Sequence, residues 1–266
     1  MTPVDIIKGS SPIILAMPHS GLYVPPNIHA RLNAIGRELS DTDWHIDRLY
    51  TGLLPGATMI RANFHRYVID PNRDPLGTSL YPGQNTTGLC PLTDFDGISI
   101  YCKGQEPDAD DIEKRRQTYH APYHAALNAE ITRVKSLHGI AILYDCHSIR
   151  SHVPFLFDGA LPDFNIGTKH GETCAPAIQK AVADICAGAK DYSYVENGRF
   201  KGGWTTRHYG KPETGVHAIQ MELAQKNYMQ ESMPWPYQEP RAEKLRAVLK
   251  SCLQTLETRI LKGDIT

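Results

Sequence analysis

Three short apolar runs in this chain lead into side chains that can hold a proton or a metal, and that placement restricts the fold more than any other feature. Ile13 to Met17 precedes Pro18-His19-Ser20-Gly21, and Gly139 to Tyr144 runs into Asp145-Cys146-His147-Ser148. Val216 to Leu223 carries Glu222 close to its end. Apolar runs this short, bounded by turn residues, read as buried strands. Amphipathic stretches separate them, which predicts an α/β fold with a mostly parallel sheet. Open sheets of that kind collect their ligands at the carboxyl ends of the strands, where His19, His147 and Glu222 fall.

The spacing predicts further elements. Asp41 to Leu54 has helical periodicity, Ala57 to Ala62 is a second strand, and Tyr67 to Ile69 extends it or begins another. Pro71 to Gln105 is rich in Pro, Gly, Asn and Thr and is expected to be a long irregular segment, which in compact domains is often functional. A charged helix is expected from Asp108 to Lys135, broken or kinked at Pro122, with further helices at Gly171 to Ala187 and Gln238 to Leu261. Nothing resembling a repeat or linker divides the chain, so residues 1–266 are read as one domain.

Composition narrows the function. With 41% hydrophobic and 21% charged residues the chain belongs with soluble globular proteins. A formal net charge of -1 excludes the electrostatic footprint expected of a nucleic-acid or anionic-membrane binder. No apolar run approaches the ~20 residues needed to span a bilayer. The first residues lack a basic stretch followed by a long apolar segment, so a cytoplasmic location is expected. The six cysteines contain no Cys-x-x-Cys pair and are expected to be reduced thiols.

Several residues could carry chemistry. Strand alternation places Asp145 and His147 on one face and Cys146 on the other. A carboxylate beside an imidazole commonly orients it for a metal, which suits Asp145, while Cys146 is read as a packed thiol rather than a nucleophile. Asp43 and Asp47 share a face of the expected helix. Taken alone the motif is more often structural, with Ser40 as N-cap and Asp43 as its capping-box partner. In Arg66-Tyr67-Val68-Ile69-Asp70-Pro71-Asn72-Arg73 the arginines suit carboxylates, or form surface ion pairs of little worth. Glu222 is an acid in an apolar strand, where burial would raise its pKa as a general base requires. The segment from Asn197 to Gly210 sets Arg199 and Arg207 among glycines, as a mobile loop gripping a carboxylate or as an exposed turn. A Gly-x-Ser-x-Gly elbow and a phosphate-cradling P-loop are both missing.

Taken in order, Pro18-His19-Ser20-Gly21, Asp41-Thr42-Asp43-Trp44-His45-Ile46-Asp47-Arg48-Leu49-Tyr50, Asp70-Pro71-Asn72-Arg73, Asp145-Cys146-His147-Ser148 and Gln220-Met221-Glu222-Leu223-Ala224 resemble the N-formylglutamate amidohydrolases over nearly the whole chain. The resemblance implies a three-layer α/β/α domain related to the zinc carboxypeptidases and aspartoacylases, with a mixed, mostly parallel sheet. It implies one divalent metal, zinc foremost, held by His19, His147 and an acid of the Asp43 motif, Asp43 taken ahead of Asp47 as the alternative, with Asp145 and Asp47 bracing the ligands. In the carboxypeptidases the acidic ligand stands three residues after the first histidine, but that position here is Leu22, so the acid comes from farther along the chain. Glu222 resembles the catalytic glutamate and Arg66 the oxyanion-stabilising arginine. Asn72, Arg73, Arg199 and Arg207 are the implied contacts to a small acidic N-acyl amino acid. The implied reaction is release of formate from N-formyl-L-glutamate, the last step of a histidine-degradation route. A zinc amidase or carboxypeptidase acting on another acyl amino acid or peptide, and a non-catalytic binder of a metal or acidic small molecule, are the alternatives.

Overall fold

The computed structural model describes residues 1–79 and 83–265. Seven strands form one mixed sheet: β1 (Val4–Ile7), β2 (Ile13–Met17), β3 (Thr58–Ala62), β4 (Ala141–Ile149), β5 (Phe164–Gly167), β6 (Tyr194–Glu196) and β7 (Val216–Ala224). Their order is β1-β3-β2-β4-β7-β5-β6. The central strands β3, β2, β4 and β7 are parallel, while β1 and β5 join antiparallel at either side and β6 pairs parallel with β5.

The helices are α1 (Pro26–His29), α2 (Ala34–Arg37), α3 (Ile46–Tyr50), α4 (Ala109–Arg115), α5 (Ala121–His138), α6 (Pro176–Gly188), α7 (Trp204–Tyr209) and α8 (Glu239–Leu261). They cover both faces. β2, β4 and β7 are buried at every residue, which is why their sequences read as continuous apolar runs rather than alternating ones. Ile142, Tyr144 and Cys146 of β4 pack into a core shared with α3, α6 and α8, whose Leu245, Leu249, Cys252 and Leu256 recur at helical spacing. Ala141 and Leu143 point the other way, onto Tyr123, Leu127, Ile131 and Val134 of α5. This is the three-layer α/β/α arrangement with a mostly parallel sheet that the sequence led us to expect. Among the described residues no helix is long and apolar enough to cross a membrane. All six cysteines are free thiols, and of these Cys102 alone is exposed.

The structure differs from the sequence-based expectations in four places. The helix expected over Asp41 to Leu54 shrinks to α3, because His45 adopts the left-handed conformation (φ 60°) immediately before it. Upstream of α3 the side chains are spent on tertiary bonds: Asp41 accepts from the Tyr67 hydroxyl at 2.8 Å and the Phe95 N–H at 3.0 Å. Tyr67 to Ile69 is a buried turn and coil rather than a strand, and Arg115 of α4 donates to the Val68 carbonyl at 3.0 Å. Pro122 does not break the helical stretch. It lies near the start of α5 just beyond a π-turn at Arg116–His120, which takes up the missing N–H and the crowded ring while the helix runs on to His138. The third helix begins five residues later than expected, at Pro176.

β1, β5 and β6 have no counterpart in the sequence reading. Two of them are short edge strands with mixed exposure, so neither leaves an apolar run to be read. From Pro71 to Gln105 the described residues hold no helix or strand, with residues 80–82 outside the described set.

Candidate active site

The parallel pairing of β2, β4 and β7 brings three polar side chains to one edge of the sheet. Ala16 pairs with Asp145, which sets His19 just past the end of β2, and His147 pairs directly with Glu222. Asp43 arrives from the turn before α3, whose backbone is tied to β2 by the Asp43 N–H donating to the His19 carbonyl at 3.0 Å.

The side chains then converge. Asp43 Oδ2 lies 3.3 Å from His147 Nδ1 and 3.8 Å from His19 Nδ1, and all three residues are buried. Each imidazole is held from behind by a second carboxylate. His19 Nε2 is 2.7 Å from Asp70 Oδ1 and His147 Nε2 is 3.1 Å from Asp145 Oδ1. Because a carboxylate only accepts, His19 Nε2 carries the proton and its Nδ1 lone pair is turned toward Asp43, whereas His147 Nε2 also lies 3.3 Å from Asn72 Nδ2 and its Nδ1 bonds Asp43. His19 Nδ1 has no hydrogen-bond partner although it is buried. His147 Nδ1 bonds Asp43 Oδ2 at 3.3 Å, while His19 Nδ1 turns an unshared lone pair toward the same carboxylate, an unfavourable contact that a cation would relieve.

A tetrahedral centre with bonds of ~2.0–2.1 Å places its ligand atoms about 3.3 Å apart, close to the separations seen. Two imidazole nitrogens and a carboxylate oxygen are also ligands that zinc takes readily. The three residues thus fit a divalent metal, with their donor atoms all within 4.8 Å of one another.

Electrostatics point the same way. Burial opposes charge on Asp43, but the Arg66 guanidinium, with His147 and His19, outweighs it and holds the carboxyl well below the usual range. Burial likewise opposes charge on His147, and Asp145, Asp43 and Glu222 outweigh it, so that its imidazole binds a proton far more tightly than usual. The cluster attracts positive charge. Glu222 is the opposite case: burial, with Asp43 and Asp145 adding to it against His147 and Arg66, pushes its carboxyl up to about 8. A cation at the cluster would lower that value, since opposite charge favours the ionised form.

The other expected residues are divided by the fold. Arg66 is buried, donates from Nη2 to Asp43 Oδ1 at 2.7 Å and lies 4.9 Å from the centre of the Phe95 ring. Arg66, Asn72, Arg73 and Arg199 line the cavity above the cluster, with Phe95, Leu156 and Phe200 as its apolar wall. Arg73 is anchored to the Thr87 carbonyl at 2.8 Å and hydroxyl at 3.0 Å. Arg199 donates to the Leu156 carbonyl at 2.8 Å. Arg207 stands apart, donating to the Gly202 carbonyl at 2.8 Å, and does not line this cavity. Asp47 is also elsewhere. It pairs with Arg61 at 2.7 Å on a partly exposed face, because the left-handed His45 removes the helix that would have aligned it with Asp43. Leu22 is exposed. Cys146 packs into the opposite layer, where burial pushes its thiol well above the usual range.

Three contributors were not read from the sequence in these roles. From the sequence Asp70 reads as half of a surface ion pair, yet it is fully buried against His19. Thr206 donates to Asp145 Oδ2 at 2.9 Å, and Gln220 donates to Glu222 Oε2 at 2.9 Å. An acid ending the apolar stretch Val68-Ile69 was the available signal for Asp70. The Thr206 contact is purely tertiary, whereas Gln220 stands two residues before Glu222 on one strand face, a spacing visible in the sequence.

The family model described as N-formylglutamate amidohydrolase matches residues 11–229, a span holding every side chain of this site. The chain belongs to the N-formylglutamate amidohydrolase family. Among curated relatives, the N-formylglutamate deformylase of Pseudomonas aeruginosa is 47% identical over 250 residues, covering 94% of each chain. That of Pseudomonas putida is 44% identical over 250 residues, covering 94% of this chain and 93% of the relative. The crystal structure of an N-formylglutamate amidohydrolase from Ralstonia eutropha superposes with a TM-score of 0.81 at 25% identity, covering 99% of this chain and all of that one. A gene product of Agrobacterium tumefaciens shares the fold, with a TM-score of 0.70 at 15% identity over 97% of this chain and 96% of its own. The matched span takes in β2 to β7 and α1 to α7, while β1 and α8 lie outside it.

Proposed function

We propose that the protein hydrolyses N-formyl-L-glutamate to formate and L-glutamate with the help of a divalent metal. The observation that carries the mechanism is Glu222, buried on β7 directly beside the His19–Asp43–His147 cluster. The choice of substrate rests on the two deformylases that share nearly half of this sequence.

His19, Asp43 and His147 would hold the metal, zinc by the chemistry of this donor set, which supplies positive charge to polarise the formyl carbonyl and make a water more acidic. Glu222 takes the proton of the attacking water as the new C–O bond forms at the formyl carbon. Arg66, fixed by Asp43, sets its guanidinium against the developing oxyanion. Glu222 then delivers its proton to the nitrogen as the C–N bond breaks, so that formate and the free amino acid leave. Arg73 and Arg199 line the cavity as partners for the two substrate carboxylates, and Asn72 lines it beside them, 3.3 Å from His147 Nε2. Arg207 has no part in this reading because it does not line the cavity.

The test is formate release from N-formyl-L-glutamate by purified protein, before and after chelation and with zinc restored. Release that falls on chelation and returns with zinc supports the reading. Absence of formate from fully metallated protein overturns it, and acetyl- and succinyl-amino acids become the substrates to try.

A further inference from the structure

Gln220 lies two residues before Glu222 on the same face of β7, and both ends of its side chain are engaged. Its Oε1 accepts the Gly203 N–H at 2.6 Å, and its Nε2 donates to Glu222 Oε2 at 2.9 Å. The orientation of the amide is not arbitrary: a backbone N–H needs an acceptor, so the oxygen must face Gly203 and the NH₂ must face the carboxylate. Gln220 is itself buried, where a side chain with both ends satisfied has little freedom to turn.

The backbone partner is well placed to hold it. Gly203 precedes α7 at its N-terminal cap, and a methyl group there would lie 2.2 Å from Asn72 Nδ2, so the loop fits against the site without slack. The next residues are fastened too, with the Thr205 N–H donating to Asn72 Oδ1 at 2.9 Å and the Thr206 hydroxyl to Asp145. The start of α7 therefore reaches the cluster behind His147 by one route and Glu222 by another, the second passing through Gln220.

We propose that Gln220 is a positioning residue for Glu222: it holds Oε2, leaving Oε1 as the oxygen that meets water, and it ties that alignment to the start of α7. This rests on the reading of Glu222 as the base. Two variants separate positioning from a merely structural role. Gln220→Glu keeps an acceptor for the Gly203 N–H but loses the donor to Glu222, whereas Gln220→Met loses both.

With zinc bound and N-formyl-L-glutamate as substrate, both variants should lose ~10–100-fold in kcat, the range seen when a partner orienting a reacting group is removed. KM should stay within ~3-fold, and metal content should be unchanged. Normal kcat in Gln220→Glu, with a lowered thermal midpoint as the sole defect of Gln220→Met, would overturn the proposal. A crystal structure of either variant gives a readout independent of substrate. A Glu222 carboxylate turned away from its position supports the role, and one left in place overturns it. Wild-type protein in the same assay keeps the two failures apart, because absence of formate there counts against the deformylase reading and not against the role of Gln220.

Discussion

Within the site, carboxylates do three different jobs set by their surroundings. Asp43 is held ionised by Arg66, Asp70 and Asp145 orient imidazoles, and Glu222 is kept reluctant to ionise by burial. Replacing Glu222 with Gln keeps the shape but removes the base, so turnover should fall by at least ~10²-fold, in line with the usual size of acid–base contributions. Metal analysis of the same preparation should show full occupancy; near-normal formate release would refute the role. Asp70→Asn should act on the metal instead. It leaves His19 without its ionised partner, which should weaken metal affinity by ~10–100-fold, read by competition with a chromophoric chelator. Unchanged affinity would mean that His19 needs no such support.

At the level of elements, α5 carries a titratable group that links stability to pH. His124 is neutral in the fold: it lies 2.7 Å from the Pro71 carbonyl and 3.0 Å from the Tyr209 hydroxyl, and burial, with His120 adding to it, pushes its pKa down to about 3. The unfolded chain, with an ordinary value of ~6.5, takes up this proton first. Between those two values the unfolded state therefore binds more protons, and stability falls as pH falls. From pH 6.5 to pH 5 the loss from this group should be about 2 kcal/mol. Urea unfolding of wild type and His124→Gln across that range should show a steeper decline for wild type; parallel curves would exclude the linkage. Because His124 grips the carbonyl of Pro71, this same contact steadies the turn that presents Asp70 and Asn72.

Across the whole molecule, what the sequence shows depends on how each segment meets its neighbours. β2, β4 and β7 were readable because both faces of each are covered, leaving uninterrupted apolar runs. The edge strands β1 and β6 are half wet and left no such trace. Among site residues, His19, His147 and Glu222 announced themselves by standing at strand ends. Asp43 was ambiguous from its own context, and membership of a family pattern singled it out over Asp47. The difference between them is one left-handed residue, His45, whose imidazole meets the Trp235 carbonyl at 2.7 Å, far away in sequence. Asp70 and Thr206 act through partners more than fifty residues distant, so local spacing could not assign them; Gln220 shares a strand face with Glu222, but its anchor at Gly203 lies across a loop.

The distribution of thiols gives the protein a built-in report on its own integrity. Five of the six cysteines are buried, and burial pushes those of Cys90 and Cys174 up to about 12, so thiolate is scarce where solvent is already excluded. A chromogenic disulfide reagent should consume one equivalent per folded chain, at Cys102, and all six in denaturant. A sample that takes up more than one without denaturant contains opened molecules. Cys102→Ser should yield a protein silent to the reagent until it unfolds, so the rate of colour development becomes a clock for opening of the core. A single dye placed at Cys102 would mark every intact molecule at one known position.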